Sequence, residues 1–356
     1  MIADWLERKE VVVCAGSGGV GKTSTAAAVA LGMAARGKKV AVLTIDPARR
    51  LANALGLPEL GNEERRVDAQ VDGELWAMML DPKRTFDELI EVHAPDPATR
   101  DAVLGNRIYQ ELSNAVAGSQ EYMAMEKLHE LHQEGRYDLL VLDTPPTRNA
   151  LDFIDAPKQL AAFIDSRALA LFTAPGRFGL KLFGRGTGVV FSVMKRATGI
   201  DLLEDLSEFF RSFGGMTEGF RDRAERVNAL LADSRSAFVL VTSPRRDAIE
   251  EAAFFRRRLR EADLPFAGVV ANRVRRVGGA SEPAELERLL GEPLARKVMR
   301  SYEEERRLAE RDRANLADLR RKLGRKPMIE VPDLDHDVHD LDGLEEMCEY
   351  LFARSA

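Results

Sequence analysis

Eight residues, Gly16-Ser17-Gly18-Gly19-Val20-Gly21-Lys22-Thr23, satisfy the spacing G-x-x-x-x-G-K-[ST]. Glycines so spaced let successive backbone N–H groups converge on an anion, and a helix N-terminus just after them favours negative charge. The lysine and the hydroxyl that close the loop have separate tasks. Lys22 reaches β- and γ-phosphate oxygens, and the Thr23 hydroxyl ligates Mg²⁺. The chemistry implied is binding of a nucleoside triphosphate with Mg²⁺, and two carboxylates could complete it. Asp143 ends the apolar run "LLVLD" and would anchor the metal and its water shell. Asp46, in "TIDPARR", could accept a hydrogen bond from an attacking water. Each also has a plainer reading: a glycine-rich turn for the loop, a strand-end turn residue for Asp143, an N-cap or turn residue for Asp46.

These residues need elements to hold them. Short apolar runs recur along the chain: "VVVCAG" (11–16), "KVAVLTID" (39–46), "LWAMML" (75–80), "YDLLVLDT" (137–144), "AFVLVTS" (237–243), "FAGVVANRV" (266–274) and "MIEVP" (328–332). Continuous Val/Leu/Ile runs without alternation predict strands buried on both faces. Helical patterns between them predict an α/β fold, a doubly wound, mostly parallel sheet flanked by helices. Ligands of such sheets sit beyond the carboxyl ends of the strands, where Asp46, Asp143 and Asn272 fall. The first run leads into the loop, and the loop into "TSTAAAVALGMAARG", a helix ended by Gly37.

Two stretches break the alternation. Residues 93–133 read as helical around "YQELSNAVAGSQEYMAMEKLHEL". Residues 152–228 hold 10 of the 16 phenylalanines and surround "APGRFGLKLFGRGTGVVF", with its five glycines between Gly176 and Gly188. The expectation is one P-loop domain over 1–356, with 93–133 and 152–228 as an inserted helical subdomain. The phenylalanine-rich part is either an apolar client site or an ordinary subdomain core. Residues 282–324 are highly charged at helical spacing, which predicts a solvated helix face ended by Gly324.

Composition narrows the partners. The chain has 356 residues, is 45% hydrophobic and 31% charged, and carries a net charge of −6. An acidic balance argues against nucleic acid, which needs a basic face. Cys14 and Cys348 form no CxxC pair, which suits a reducing, cytoplasmic setting. Neither a signal-peptide pattern in residues 1–10 nor a membrane-spanning apolar run is read. Soft-metal sites need clustered thiolates, so neither zinc nor arsenite is expected.

Taken together, "GSGGVGKTST", "TIDPARRLANALG" and "LDTPPTRNALDFIDAP" resemble the ArsA-type ATPases, a family of arsenical-pump ATPases and of guided-entry ATPases that carry tail-anchored membrane proteins. The resemblance extends to Asn272 in "VVANRV" and to "EVPDLDHDVHDLDGL" (330–344). It implies that Gly16 to Gly21 cradle the phosphates and that Ser24 contacts them. It also implies that Lys22, Asp46 and Asp143 are catalytic, that Thr23 and Asp143 serve Mg²⁺, and that Asn272, Pro332 and Asp333 meet the adenine. Members work as facing pairs, so a homodimer or a heterodimer with a related ATPase is implied, coupled to an apolar client such as a membrane-protein segment or lipid.

The sequence departs from the family at named positions. The family loop reads KGGVGKT, and its first lysine reaches the partner's phosphates; Ser17 stands there. Arg49 and Arg50 replace His-Ser after Asp46, and Arg148 and Asn149 replace Gly-His after Asp143. Three functions stay open: an ATP-hydrolysing dimeric switch; a weakly active regulatory subunit paired with a lysine-bearing paralogue; and, least favoured, an arsenite pump ATPase. Arg49 and Arg148 are candidates to replace the missing cation.

Overall fold

The structure is a computed structural model that describes residues 1–46, 48–107, 109–110, 119–144, 156, 209, 212, 216–279 and 282–353. Most of 152–228, and Arg148 and Asn149 with it, lie outside the described residues. The chain divides into two compact units, residues 1–79, 134–151 and 231–356 in one, 80–133 and 152–230 in the other.

The first unit is built on a sheet whose strands come from the expected apolar runs. They are β1 (Val11–Ala15), β2 (Lys39–Thr44), β3 (Arg65–Arg66), β4 (Glu74–Met79), β5 (Leu139–Asp143), β6 (Ser236–Thr242), β7 (Phe266–Val274) and β8 (Met328–Pro332). Their spatial order is β3-β4-β2-β5-β1-β6-β7-β8. The pairings are parallel except that of β3 with β4. Every residue of β1, β5 and β6 is buried, as strands covered by helices on both faces must be. β1 lies between β5 and β6, and its carboxyl end delivers the phosphate loop to the middle of the sheet. The doubly wound fold class is thus observed.

Helix α1 (Ile2–Leu6) precedes β1, and α2 (Lys22–Ala34) follows the loop. Helix α2 is apolar nearly all round because it is enclosed: Ala26, Ala27, Ala28, Ala30 and Ala34 are all shielded from solvent. It ends at Ala34 rather than at Gly37; the glycine takes the left-handed conformation (φ 83) in the turn that follows. Short α3 (Arg50–Ala54) follows β2.

The second unit's described elements are helices: α4 (Pro82–His93), α5 (Pro97–Leu104), α6 (Ser119–Glu134, whose last residue falls in the first unit) and most of α7 (Thr217–Ala232). Helices α4 and α5 begin at Asp-Pro pairs. Asp81 and Asp96 accept from the backbone N–H of Arg84 and Thr99, and proline occupies the first turn, where no N–H is needed. Phe86, Tyr109, Phe209 and Phe220 form an aromatic cluster within this unit. Glu126, fully buried on α6, takes an ion pair from Arg223 of α7 and a hydrogen bond from the Tyr122 hydroxyl at 3.1 Å.

Back in the first unit, α8 (Arg246–Glu261) follows β6, and the charged segment forms two helices, α9 (Pro283–Leu290) and α10 (Glu292–Leu323). Gly291, at φ 76, separates them. Helix α10 exposes most of its charged residues, and its other face is buried through Ala295, Ala309, Asp312, Leu316, Leu319 and Leu323. Asp312 can be buried because Arg275 pairs with it at 3.2 Å. Gly324 caps the helix with φ 68. Helix α11 (Leu341–Phe352) packs on α2, and Cys348 Sγ donates to the Ala28 carbonyl at 3.1 Å.

Candidate functional site

The carboxyl ends of β1, β2, β5 and β7 meet at a cavity of about 370 Å³. Gly19, Gly21, Lys22, Thr23, Ser24, Asp46, Thr144, Asn272, Pro332 and Asp333 line it. Most residues expected at the site are therefore brought together, although they come from positions as far apart as Gly19 and Asp333.

The loop is shaped by close approach. Gly21 takes φ 88 at the start of α2, and a Cβ there would lie 2.2 Å from Asn272 Nδ2. A Cβ on Gly16 would lie 2.0 Å from the Val241 carbonyl oxygen. A side chain at Gly16 would require β6 to move, whereas one at Gly21 would displace the Asn272 amide and strain a left-handed backbone. The Asn272 amide helps hold the loop: its Nδ2 donates to the Val20 carbonyl at 3.1 Å, and its Oδ1 accepts from the Arg273 N–H.

Asp143 does not itself line the cavity; behind its wall, Asp143 Oδ2 accepts from the hydroxyls of Thr23, which does, at 2.7 Å and of Thr44 at 3.0 Å. Its Oδ1 is buried without a hydrogen-bond partner among the described residues. Burial pushes the carboxyl up to about 6, while the two hydroxyls and the charge of Lys22 pull it down. Lys22 is itself buried, which lowers its pKa, and its ammonium donates to the Ser17 carbonyl at 2.9 Å. The arrangement presents a carboxylate with a vacant lone-pair direction, a hydroxyl beside it and an ammonium close by. An oxygen-seeking dication fits that donor set.

Asp46 lies two residues past the end of β2. Its Oδ1 accepts from the Ala48 N–H at 2.9 Å, so it does form the turn expected of an Asp in that place, yet its side chain is only 12% exposed and lines the cavity. Arg50 stands 4.0 Å from it, also on the cavity wall. Arg49 is exposed at the N-cap of α3. Ser17, Gly18 and Val20 line a neighbouring cavity of about 440 Å³, which shares Gly19, Arg273, Asp333 and Asp337 with the first. The Ser17 hydroxyl is buried there with no hydrogen-bond partner among the described residues.

Three contributors escape sequence reasoning. Thr44 reads as an ordinary strand residue; only the pairing of Thr44 with Asp143 across β2 and β5 brings its hydroxyl to the carboxylate. Thr144 Oγ1 donates to the Cys14 carbonyl and ties β5 to β1 just below the loop. Arg273 lines the cavity and donates to the Gly19 carbonyl at 3.4 Å. Cys14 is buried, and burial raises its thiol pKa; Cys348 is pushed up to about 12 by the same cause, so both are packing residues here.

Comparison with known proteins agrees with this geometry. Residues 9–276 match the family described as Anion-transporting ATPase (ArsA_ATPase). A protein of Malassezia globosa named ATPase GET3 is 29% identical over 233 residues, 65% of this chain and 62% of that protein. An ATPase get3 of Aspergillus terreus is 30% identical over 224 residues, 62% of this chain and 59% of that one. An ATPase get3 of Aspergillus niger is 33% identical over 148 residues, 41% of this chain and 42% of its own length. The match thus spans about three-fifths of the length of the first two relatives.

Proposed function

The chain belongs to the anion-transporting ATPase family, and from that premise we propose that the cavity beside the phosphate loop binds Mg²⁺·ATP and that the chain hydrolyses it. The carrying observation is Asp143, buried beside Lys22 with two hydroxyls on one oxygen and none on the other. Thr23 and Asp143 would hold Mg²⁺, directly or through its waters. A magnesium ion held there would supply neutralisation of the phosphate charge. Lys22 would exchange the Ser17 carbonyl for phosphate oxygens. Asp46 would orient the attacking water. Asn272 keeps the loop in shape and, with Pro332 and Asp333, would meet the adenine. Phosphate release by the full chain with Mg²⁺, with EDTA, and for Lys22→Ala tests the reading. Metal-dependent release lost in Lys22→Ala supports it; release indifferent to both overturns it.

The active form we propose is a dimer of two nucleotide sites, with nucleotide state coupled to an apolar client bound by the helical insertion. The support for the client is the concentration of phenylalanine in residues 152–228. Equal protease cleavage of that stretch with and without ATP would exclude nucleotide control of it. Ser17 favours a second reading, a weakly active subunit that pairs with a lysine-bearing paralogue. Turnover by the purified homodimer excludes an obligatory donor. Among the described residues no helix is long and apolar enough to cross a membrane, and no group of three or more His, Cys, Asp or Glu is placed to hold a metal ion. Two free cysteines suit a cytoplasmic setting.

A further inference from the structure

Two consecutive residues of β7 reach the same loop. Asn272 donates to the carbonyl of Val20, and Arg273 to that of Gly19. In a regular strand, successive side chains leave opposite faces, so an uninterrupted β7 could not do this. The pairing with β8 explains it. Ala271 pairs with Glu330 and Val274 with Pro332, so Asn272 and Arg273 together stand opposite Val331 alone. That is a β-bulge, and bulges beside functional sites re-aim side chains. Arg273 sits in it with φ 59, in left-handed backbone that arginine rarely adopts; Asp263 is the other non-glycine residue with positive φ among those described. Strained backbone of this kind gathers where function requires it.

The contacts of the guanidinium are loose for its charge. The Gly19 carbonyl is 3.4 Å away, and Asp337 Oδ1 is 3.8 Å away on a side chain that is 92% exposed. The arginine side chain is itself 54% exposed. A guanidinium pairs best with a planar or multidentate anion, above all phosphate. The loop it touches carries no charge at Ser17, Gly18, Gly19 or Val20, so Lys22 is the loop's own cation. Arg273 lines the same cavity as Lys22.

We propose that Arg273 is a nucleotide ligand: a cation mounted on the bulge that leaves the Gly19 carbonyl for phosphate oxygens when nucleotide enters. This rests on the nucleotide reading above and names one more residue of that site. It places the additional positive charge in the same chain as the loop it serves.

Calorimetric titration of ATP, ADP and adenosine, with Mg²⁺, into the full chain tests this, alongside thermal unfolding. Arg273→Ala should weaken ATP on the order of 10- to 100-fold, weaken ADP less, and leave adenosine unchanged. Arg273→Lys should keep part of the affinity. Arg273→Gly suits the positive φ, so it should melt no lower than the wild type yet show the same loss of ATP affinity, which separates a lost ligand from a damaged fold. Asp337→Ala frees the guanidinium and should tighten ATP about two- to fivefold. Equal ATP affinity in Arg273→Ala and wild type overturns the proposal. An equal loss for all three ligands overturns it in favour of a base contact, and a loss in Asp337→Ala matching that of Arg273→Ala overturns it in favour of a latch between loops. If the wild-type chain binds none of the three, the nucleotide reading itself falls and takes this inference with it.

Discussion

Asp143 in the sheet unit and Glu126 in the helical unit are both wholly shut away from solvent. Glu126 is met by a guanidinium on one oxygen and the Tyr122 hydroxyl on the other. Both its oxygens are engaged, and nothing more is asked of it. Asp143 has two neutral donors on one oxygen, and its other oxygen faces no donor among the described residues. A buried carboxylate left half-satisfied weakens the empty fold and strengthens the attraction for a cation that arrives later. Glu126 is thus a closed structural pair, whereas Asp143 keeps the unpartnered oxygen on which the proposed metal site rests.

Breaking the Glu126 arrangement has the largest expected effect. Arg223→Met strips the counter-charge from a carboxylate that is 0% exposed and should destabilise the fold by about 3–5 kcal/mol in denaturant melts. A loss under about 1 kcal/mol would mean Glu126 is protonated and the pair is unimportant. Asp143→Asn should do the reverse to the apo protein. With the carboxyl raised from 3.8 to about 6, removing its charge should add about 3 kcal/mol of apo stability at neutral pH while metal-dependent turnover falls about 100-fold or more. A destabilised Asp143→Asn would show that the carboxylate was already satisfied.

The pH response sharpens the contrast, because the two units carry shifts of opposite consequence. Unfolded, Asp143 ionises near 3.8; folded, near about 6. Between those values the folded state holds more protons, so its stability falls as pH rises. His129, buried on α6, ionises near 6.5 when unfolded and is pushed to about 4 by burial and the charge of Arg223. There the folded state holds fewer protons, so stability falls as pH drops from about 6.5 to about 4. Denaturant melts across this range should show Asp143→Asn removing the first trend and His129→Gln the second. Both variants flattening the same trend would sink the assignment. The smallest effect is expected of Thr44→Val, which takes one hydroxyl from Asp143 and should cost about 1 kcal/mol. It should also loosen Mg²⁺·ATP a few-fold, and unchanged metal affinity would remove Thr44 from the site.

The strands could be read in the sequence because a parallel sheet covered on both faces requires unbroken apolar runs, as at Val11–Ala15 and Leu139–Asp143. β3 could not: two exposed arginines carry no hydrophobic signal, and they form a strand only because β4 offers an edge. The loop and Asp143 were legible because their chemistry fixes residue type and spacing. Thr44 and Arg273 were not, since a cross-strand register and a bulge leave no local mark. Asp312 left no local mark either: within a charged helix, nothing nearby shows that Arg275, from beyond the end of β7, allows one carboxylate to be buried.

The close approaches at Gly16 and Gly21 also set a timetable for synthesis. The loop leaves the ribosome before the surfaces that shape it: the Val241 carbonyl and the Asn272 amide are made more than two hundred residues later. Until β6 and β7 exist, the glycines have nothing to lie against and β1 lacks one of its two neighbours. A nascent chain thus displays its phosphate motif long before that motif has its shape, and competence for nucleotide arrives late, with the carboxyl-terminal half of the sheet.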